Sequence, residues 1–190
     1  MTLSATAIVI MGISGCGKST LGKGLAEATG YRFVEGDDLH PAENVAKMTA
    51  GIPLTDDDRW PWLDRVAEAL NTARDGDGCI VSCSALRRAY RDLLRARTGD
   101  RVLFVFPKVS IEVARARLRT RPNHYMPPSL LDSQMATLEL PGSDEPVLTV
   151  DGAAMPTQLV DLVMGFLSTP TDIPPNPRPN GDIRGWHAKP

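Results

Sequence analysis

The chain has 190 residues, 42% of them hydrophobic, enough for one domain with a sizeable core. Its net charge of -2 gives no basic field for nucleic acid, so an anionic ligand has to be met by locally placed cations. Three cysteines, Cys16, Cys79 and Cys83, make no disulfide framework and point to a reducing, cytoplasmic setting; no apolar run reaches the roughly 18 residues of a membrane helix, and Met1 to Thr6 lacks the basic stretch of a signal peptide.

In chain order, the apolar run Ala5 to Met11 reads as a buried central strand that ends on glycine. Lys18 to Ala28 follows as a helix with Leu21, Leu25 and Ala28 at helical spacing, stopped by Gly30. Tyr31 to Glu35 is a second strand that delivers Asp37 and Asp38. Helices are expected over Pro41 to Ala50 and Asp58 to Arg74, then a strand over Cys79 to Cys83 and a basic helix over Arg87 to Arg97. Val102 to Phe106 is the fourth strand, Ser110 to Arg121 a helix with a serine cap, Ser129 to Leu138 a short helix, Val147 to Val150 the fifth strand and Met155 to Leu167 the last helix. Strands alternating with helices predict a parallel α/β sheet covered on both faces, with ligands beyond the carboxyl ends of the strands. Residues 1–167 form the expected domain, with a lid at about 117–137. From Ser168 six prolines in 23 residues mark an extended tail, with Ile183 and Trp186 as anchors if it is draped over a surface.

The strongest motif is Gly12-Ile13-Ser14-Gly15-Cys16-Gly17-Lys18-Ser19, a phosphate-binding loop between strand and helix. Its glycines let successive N–H groups point at phosphate oxygens, and the helix that follows adds its positive end. Lys18 is placed to reach the β- and γ-phosphates and Ser19 to ligate Mg²⁺. Cys16 is a small residue whose backbone matters. In Glu35-Gly36-Asp37-Asp38-Leu39-His40-Pro41, Asp37 is the candidate carboxylate that orients a hydroxyl nucleophile and takes its proton. The segment from Pro53 to Leu63 offers Arg59 for a substrate carboxylate, while Trp60 and Trp62 read as core. The third strand ends without the metal-orienting aspartate common in phosphate-loop enzymes, so Asp37 is expected to help Ser19 hold the metal, through water. Of the arginines after that strand, at least one suits an anionic substrate. Arg117 and Arg121 lie one helical turn apart, fit to close over the transferring phosphoryl group and exclude water.

Together, the phosphate loop, GDDLHP, KM, GIPLTDDDRWPWL, CSALRRAYRDLLR, RPNHYMPPSLLDSQ and ATLELP resemble the gluconokinase family in order and spacing, over residues 7 to about 167. The resemblance implies an adenylate- and shikimate-kinase-like fold with strand order 2-3-1-4-5. It implies ATP-dependent phosphorylation of D-gluconate at its 6-hydroxyl, with Mg²⁺, by a homodimer that needs neither nucleic acid nor membrane. By position, Gly15, Cys16, Gly17, Lys18, Ser19 and Thr20, with Gly12 and Ser14, hold the ATP phosphates. Lys18, Asp37 and Arg121 are catalytic, and Arg117 and Arg121 lie on the lid side of ATP. Asp37, His40, Lys47, Arg59, Arg87, Arg91, His124 and Gln134 contact gluconate, and Pro141 to Glu145 flanks adenine. Tyr125 stands where the family usually has phenylalanine, and Arg87-Arg88 where it has two lysines. The rival readings are a kinase for another small anion, such as shikimate or a nucleoside monophosphate, and a nucleotide-binding switch without a metabolite substrate.

Overall fold

Strand β1 (Ala7–Ile10) consists of four apolar residues, all buried, as a strand covered on both faces requires. In the computed structural model, which describes residues 7–72, 78–99, 102–120 and 128–169, β1 lies between β3 (Cys79–Ser82) and β4 (Val102–Lys108). Beyond β3 stands β2 (Arg32–Glu35) and beyond β4 stands β5 (Val147–Asp151), giving the parallel order 2-3-1-4-5. The expectations for Arg121, His124 and most of the proline-rich tail fall outside the described residues.

Side-chain alternation along the strands divides the core in two. Ala7 and Val9, with Cys79, Val81, Val102 and Phe104, pack against α3 (Asp56–Asn71) and α4 (Arg88–Thr98). Ile8 and Ile10, with Ile80, Leu103 and Val105, meet Leu21 and Leu25 of α1 (Lys18–Thr29) and Leu159, Val163 and Leu167 of α7 (Pro156–Ser168). A smaller cluster of Ile13, Cys16, Leu86, Ala114 and Leu131 seats α5 (Ile111–Thr120) and α6 (Pro128–Thr137) on the phosphate loop. The remaining helix, α2 (Ala42–Thr49), follows a tight 3₁₀ turn over Gly36–Leu39.

Most element ends fall within a residue or two of expectation. One of these offsets has a clear cause: α3 begins at Asp56 rather than Asp58. Thr55 and Asp58 form a reciprocal capping box: the Asp58 N–H donates to Thr55 Oγ1 at 3.3 Å and the Thr55 N–H donates to Asp58 Oδ2 at 2.9 Å. Asp58 is therefore the third residue of the helix, and its carboxylate also holds Lys47.

The turn after β2 leaves no room at Gly36. A Cβ there would lie 2.0 Å from the Ser82 carbonyl oxygen, so β2 and β3 touch backbone to backbone just before Asp37. Gly36→Ala is expected to cost about 1–3 kcal/mol of stability in urea denaturation. Because the displaced turn carries Asp37, catalytic turnover should fall further than the loss of folded protein accounts for.

Candidate active site

The phosphate loop is clamped before it curls. The Met11 N–H donates to the Val105 carbonyl (2.8 Å) and the Gly12 N–H to the Ser84 carbonyl (3.0 Å), so the end of β1 is tied to its neighbours on both sides. Gly12, Gly15 and Gly17 then adopt φ of 127°, 82° and 100°, values that L side chains rarely reach. Gly15 is also required by contact, since a Cβ would lie 2.6 Å from the Ala114 carbonyl of α5. Gly17 caps α1 without any side-chain hydrogen bond, leaving the first N–H groups of the helix for an anion. Lys18 Nζ rests on the Gly12 and Ile13 carbonyls, at 3.1 and 3.0 Å. Cys16 is buried beneath the loop, and that burial pushes its thiol pKa up, so it packs rather than reacts.

Two cavities meet at this loop. One, of about 590 Å³, is lined by Gly15, Gly17, Lys18, Ser19, Thr20, Lys23, Glu35, Asp37, Asp38 and Arg117 among others. The other, of about 260 Å³, is lined by Asp37, His40, Arg59, Trp62, Ser84, Gln134 and apolar side chains including Val45 and Leu130. Ser14, Lys18 and Asp37 line both. A phosphate-gripping cation and a carboxylate thus stand on the border between a nucleotide-sized space and a smaller polar one.

The smaller cavity is built on Trp62. Its Nε1–H donates to the Gly36 carbonyl (2.7 Å), and the His40 ring stacks on it at 4.2 Å between centroids. Desolvation lowers the His40 pKa to about 4, with Arg59 also opposing its charge and Asp37 favouring it. The buried Asn44 donates through Nδ2 to His40 Nδ1 (3.2 Å) and to the Asp58 carbonyl (2.7 Å). The neutral ring consequently carries its proton on Nε2. Gln134 reaches the loop from α6, its Oε1 accepting from the Ser14 N–H at 2.7 Å.

Other expected substrate contacts are engaged elsewhere. Arg91 is fully buried; its guanidinium binds Glu145 (2.6 and 2.9 Å) and the carbonyls of Ala85, Leu86 and Glu139. It pins the 139–146 segment to α4 and offers nothing to a substrate. Lys47 is paired with Asp58 at 2.6 Å, which with the Thr55 bonds lowers the Asp58 pKa to about 2, and Arg87 is paired with Asp56 at 2.6 Å. Neither lines any of the cavities described. Pro141 to Glu145, expected beside adenine, instead packs on α4 through Arg88–Asp144 and Arg91–Glu145.

The sequence left two features unread: what holds Arg117, already expected on the ATP side, and the role of Glu35. Arg117 Nη2 donates to the Gly152 carbonyl (2.8 Å) and Nη1 to the Cys16 carbonyl (3.4 Å). Beside it lies a pocket of about 180 Å³ lined by Thr20, Leu21, Gly152, Ala154, Pro156 and Leu159, formed by the turn between β5 and α7. The second is Glu35, whose carboxylate accepts from Ser82 Oγ, while the Gly36 N–H donates to the same hydroxyl (3.2 Å). The last residue of β3 is thus a serine that holds an acid supplied by β2. Glu35 belongs to the acidic cluster visible in the sequence, but only strand pairing reveals its partner.

The shikimate kinase family profile matches residues 14–143. The chain is 45% identical over 164 residues to the gluconokinase of Gluconobacter oxydans, covering 85% of this chain and 90% of that protein. A solved gluconokinase from Sinorhizobium meliloti is 45% identical with a TM-score of 0.79, over 88% of this chain and 94% of that one. A solved sugar kinase from a Janibacter species is 42% identical with a TM-score of 0.80, over 90% and 99%.

Two measurements check these environments. Arg91→Ala strands a buried Glu145 and should cost about 3–5 kcal/mol in urea denaturation. His40 should titrate by NMR near pH 4, rather than at the unperturbed value of roughly 6.5. Between those values the folded state binds fewer protons than the unfolded one. The contribution of His40 to stability is therefore complete above the upper value and is lost as pH falls toward the lower.

Proposed function

The chain belongs to the gluconokinases, within the shikimate kinase family, and from that premise we propose that it transfers the γ-phosphoryl group of ATP to the 6-hydroxyl of D-gluconate. The observation that carries this reading is the shared wall of the two cavities, where Lys18 and Asp37 face both spaces. Phosphoryl transfer between bound molecules needs such a border: a cation for the migrating group and a carboxylate for the attacking hydroxyl.

On this reading the larger cavity takes the triphosphate. The loop N–H groups and the uncapped start of α1 hold its phosphates, and Lys18 turns from the loop carbonyls to the β- and γ-oxygens. The pocket between Arg117 and the Gly152–Pro156 turn takes adenine, replacing Pro141 to Glu145 in that role. Ser19, Asp37 and Glu35 are hard oxygen donors lining the same cavity, and they fit Mg²⁺, an ion that favours few carboxylates together with substrate phosphates. When bound, Mg²⁺ neutralises charge on the β- and γ-phosphates.

The smaller cavity takes gluconate. Arg59 faces its carboxylate, His40 donates from Nε2 to a hydroxyl, Gln134 contributes its amide, and Asp37 receives the proton of the reacting hydroxyl. Arg121 and His124 keep their proposed places on the lid through family resemblance, and the same resemblance supports a cytoplasmic homodimer. Among the described residues no helix is long and apolar enough to cross a membrane.

The test is ADP release with a panel of acceptors. Gluconate should drive it and shikimate should not; the reverse result ends this assignment. Asp37→Asn should still bind ATP, while gluconate-dependent turnover falls by about 10²–10⁴. Unchanged turnover would remove Asp37 from the chemistry.

A further inference from the structure

Arg59 is the arginine that lines the acceptor cavity, on the wall away from the phosphate loop's Lys18, yet its own helix carries a competitor for it. Asp56 lies three residues earlier on α3, a spacing that puts the two side chains on one face. Direct pairing would neutralise Arg59 and draw it away from an anionic acceptor. The structure shows no such pair: among the described residues no carboxylate lies within ion-pair distance of Arg59.

Both oxygens of Asp56 are already taken. The buried Tyr90 hydroxyl donates to Oδ1 at 2.7 Å, and Arg87 Nη1 donates to Oδ2 at 2.6 Å. Tyr90 also receives Arg59. Arg59 Nη1 donates to the Tyr90 hydroxyl oxygen at 3.4 Å, and the guanidinium carbon stands 5.8 Å from the centre of the Tyr90 ring. Trp60 meets that ring edge-on at 5.3 Å between centroids and holds it in place. The order is Arg59 to Tyr90 to Asp56, with Arg87 closing the far side.

We infer that Tyr90 is a positioning residue for the anionic end of the acceptor: with Arg87 it occupies each oxygen of Asp56 with a donor, and so keeps the Arg59 charge available and aimed into the cavity. A hydroxyl suits this place because it donates to the carboxylate and accepts from the guanidinium without adding charge. An acid here would quench Arg59, and phenylalanine would leave Asp56 Oδ1 open to it. This inference rests on the gluconate reading for the identity of the anion, but not for the geometry.

Tyr90→Phe keeps the ring and removes only the hydroxyl. It should raise the gluconate KM roughly tenfold, the loss of one charged contact, with kcat far less affected. Adding Asp56→Ala to that variant removes the competitor and should bring KM back toward the wild-type value. A purely structural role for Tyr90 predicts the opposite, since a second truncation in the same cluster would only add damage. Arg87→Ala, at a side chain 41% exposed and therefore little threat to folding, opens the other oxygen of Asp56. It should raise KM in the same way and be rescued by the same Asp56→Ala change. An unchanged KM in Tyr90→Phe, or no rescue in either double variant, overturns the inference.

A crystal structure of Tyr90→Phe separates this failure from failure of the gluconate assignment, because it needs no acceptor. Arg59 should be found within about 4 Å of Asp56. Arg59 left in its original place would refute the idea even if gluconate is the substrate. Wild-type protein that ignores gluconate, with the Arg59–Asp56 pair formed in the variant, would instead refute only the assigned acceptor.

Discussion

The clamp on Met11 and Gly12 is the contact on which the site depends. Hydrogen bonds from their N–H groups to β4 and to Ser84, two residues past β3, fix where the chain leaves the sheet. Everything after that point inherits the placement: the left-handed glycines, the uncapped start of α1, and Lys18 above the loop. The same parallel pairing brings β2 alongside β3, so Glu35 and Asp37 emerge on the same edge as the loop. Among the described residues no ion pair gathers Lys18, Glu35 and Asp37. Strand register does so, because in a parallel sheet every carboxyl end points the same way.

The parts of this arrangement that were legible in the sequence were those with local causes. Apolar runs between helical spacings gave the strand–helix alternation, and the glycine spacing gave the loop. Strand order came from family resemblance rather than periodicity, and the structure agrees with it. What could not be read were outcomes of competition between partners distant in sequence. Arg91, one of several arginines in a basic helix, is consumed by Glu145, 54 residues away. Arg117 earns its place through the Gly152 carbonyl, which carries no side-chain signature. The early start of α3 is a milder case: Thr55 and Asp58 were both visible, but the acidic run concealed which residue served as the cap.

Charge in the acceptor region is set less by how many arginines are present than by how many carboxylates claim them. Arg87, Arg88 and Arg91 each have an acidic partner, and Lys47 has Asp58. Arg59 stands apart, held by a ring and a hydroxyl instead of an acid. In a chain with a slight negative net charge, a cation is made available by shielding it from the acids around it. His40, kept neutral by burial against Trp62, fits the same pattern: it offers a donor without adding to the local positive charge.

Asp56, Asp57 and Asp58 look like a single acidic run, yet each helical step turns about 100°, so the three carboxylates leave α3 in different directions. Asp56 meets Tyr90 and Arg87, Asp57 faces solvent, and Asp58 turns back to Thr55 and Lys47. Their likeness as neighbours in the chain is thus no redundancy. None can stand in for another, and shifting the run by one residue would exchange all three sets of partners while leaving composition and charge untouched.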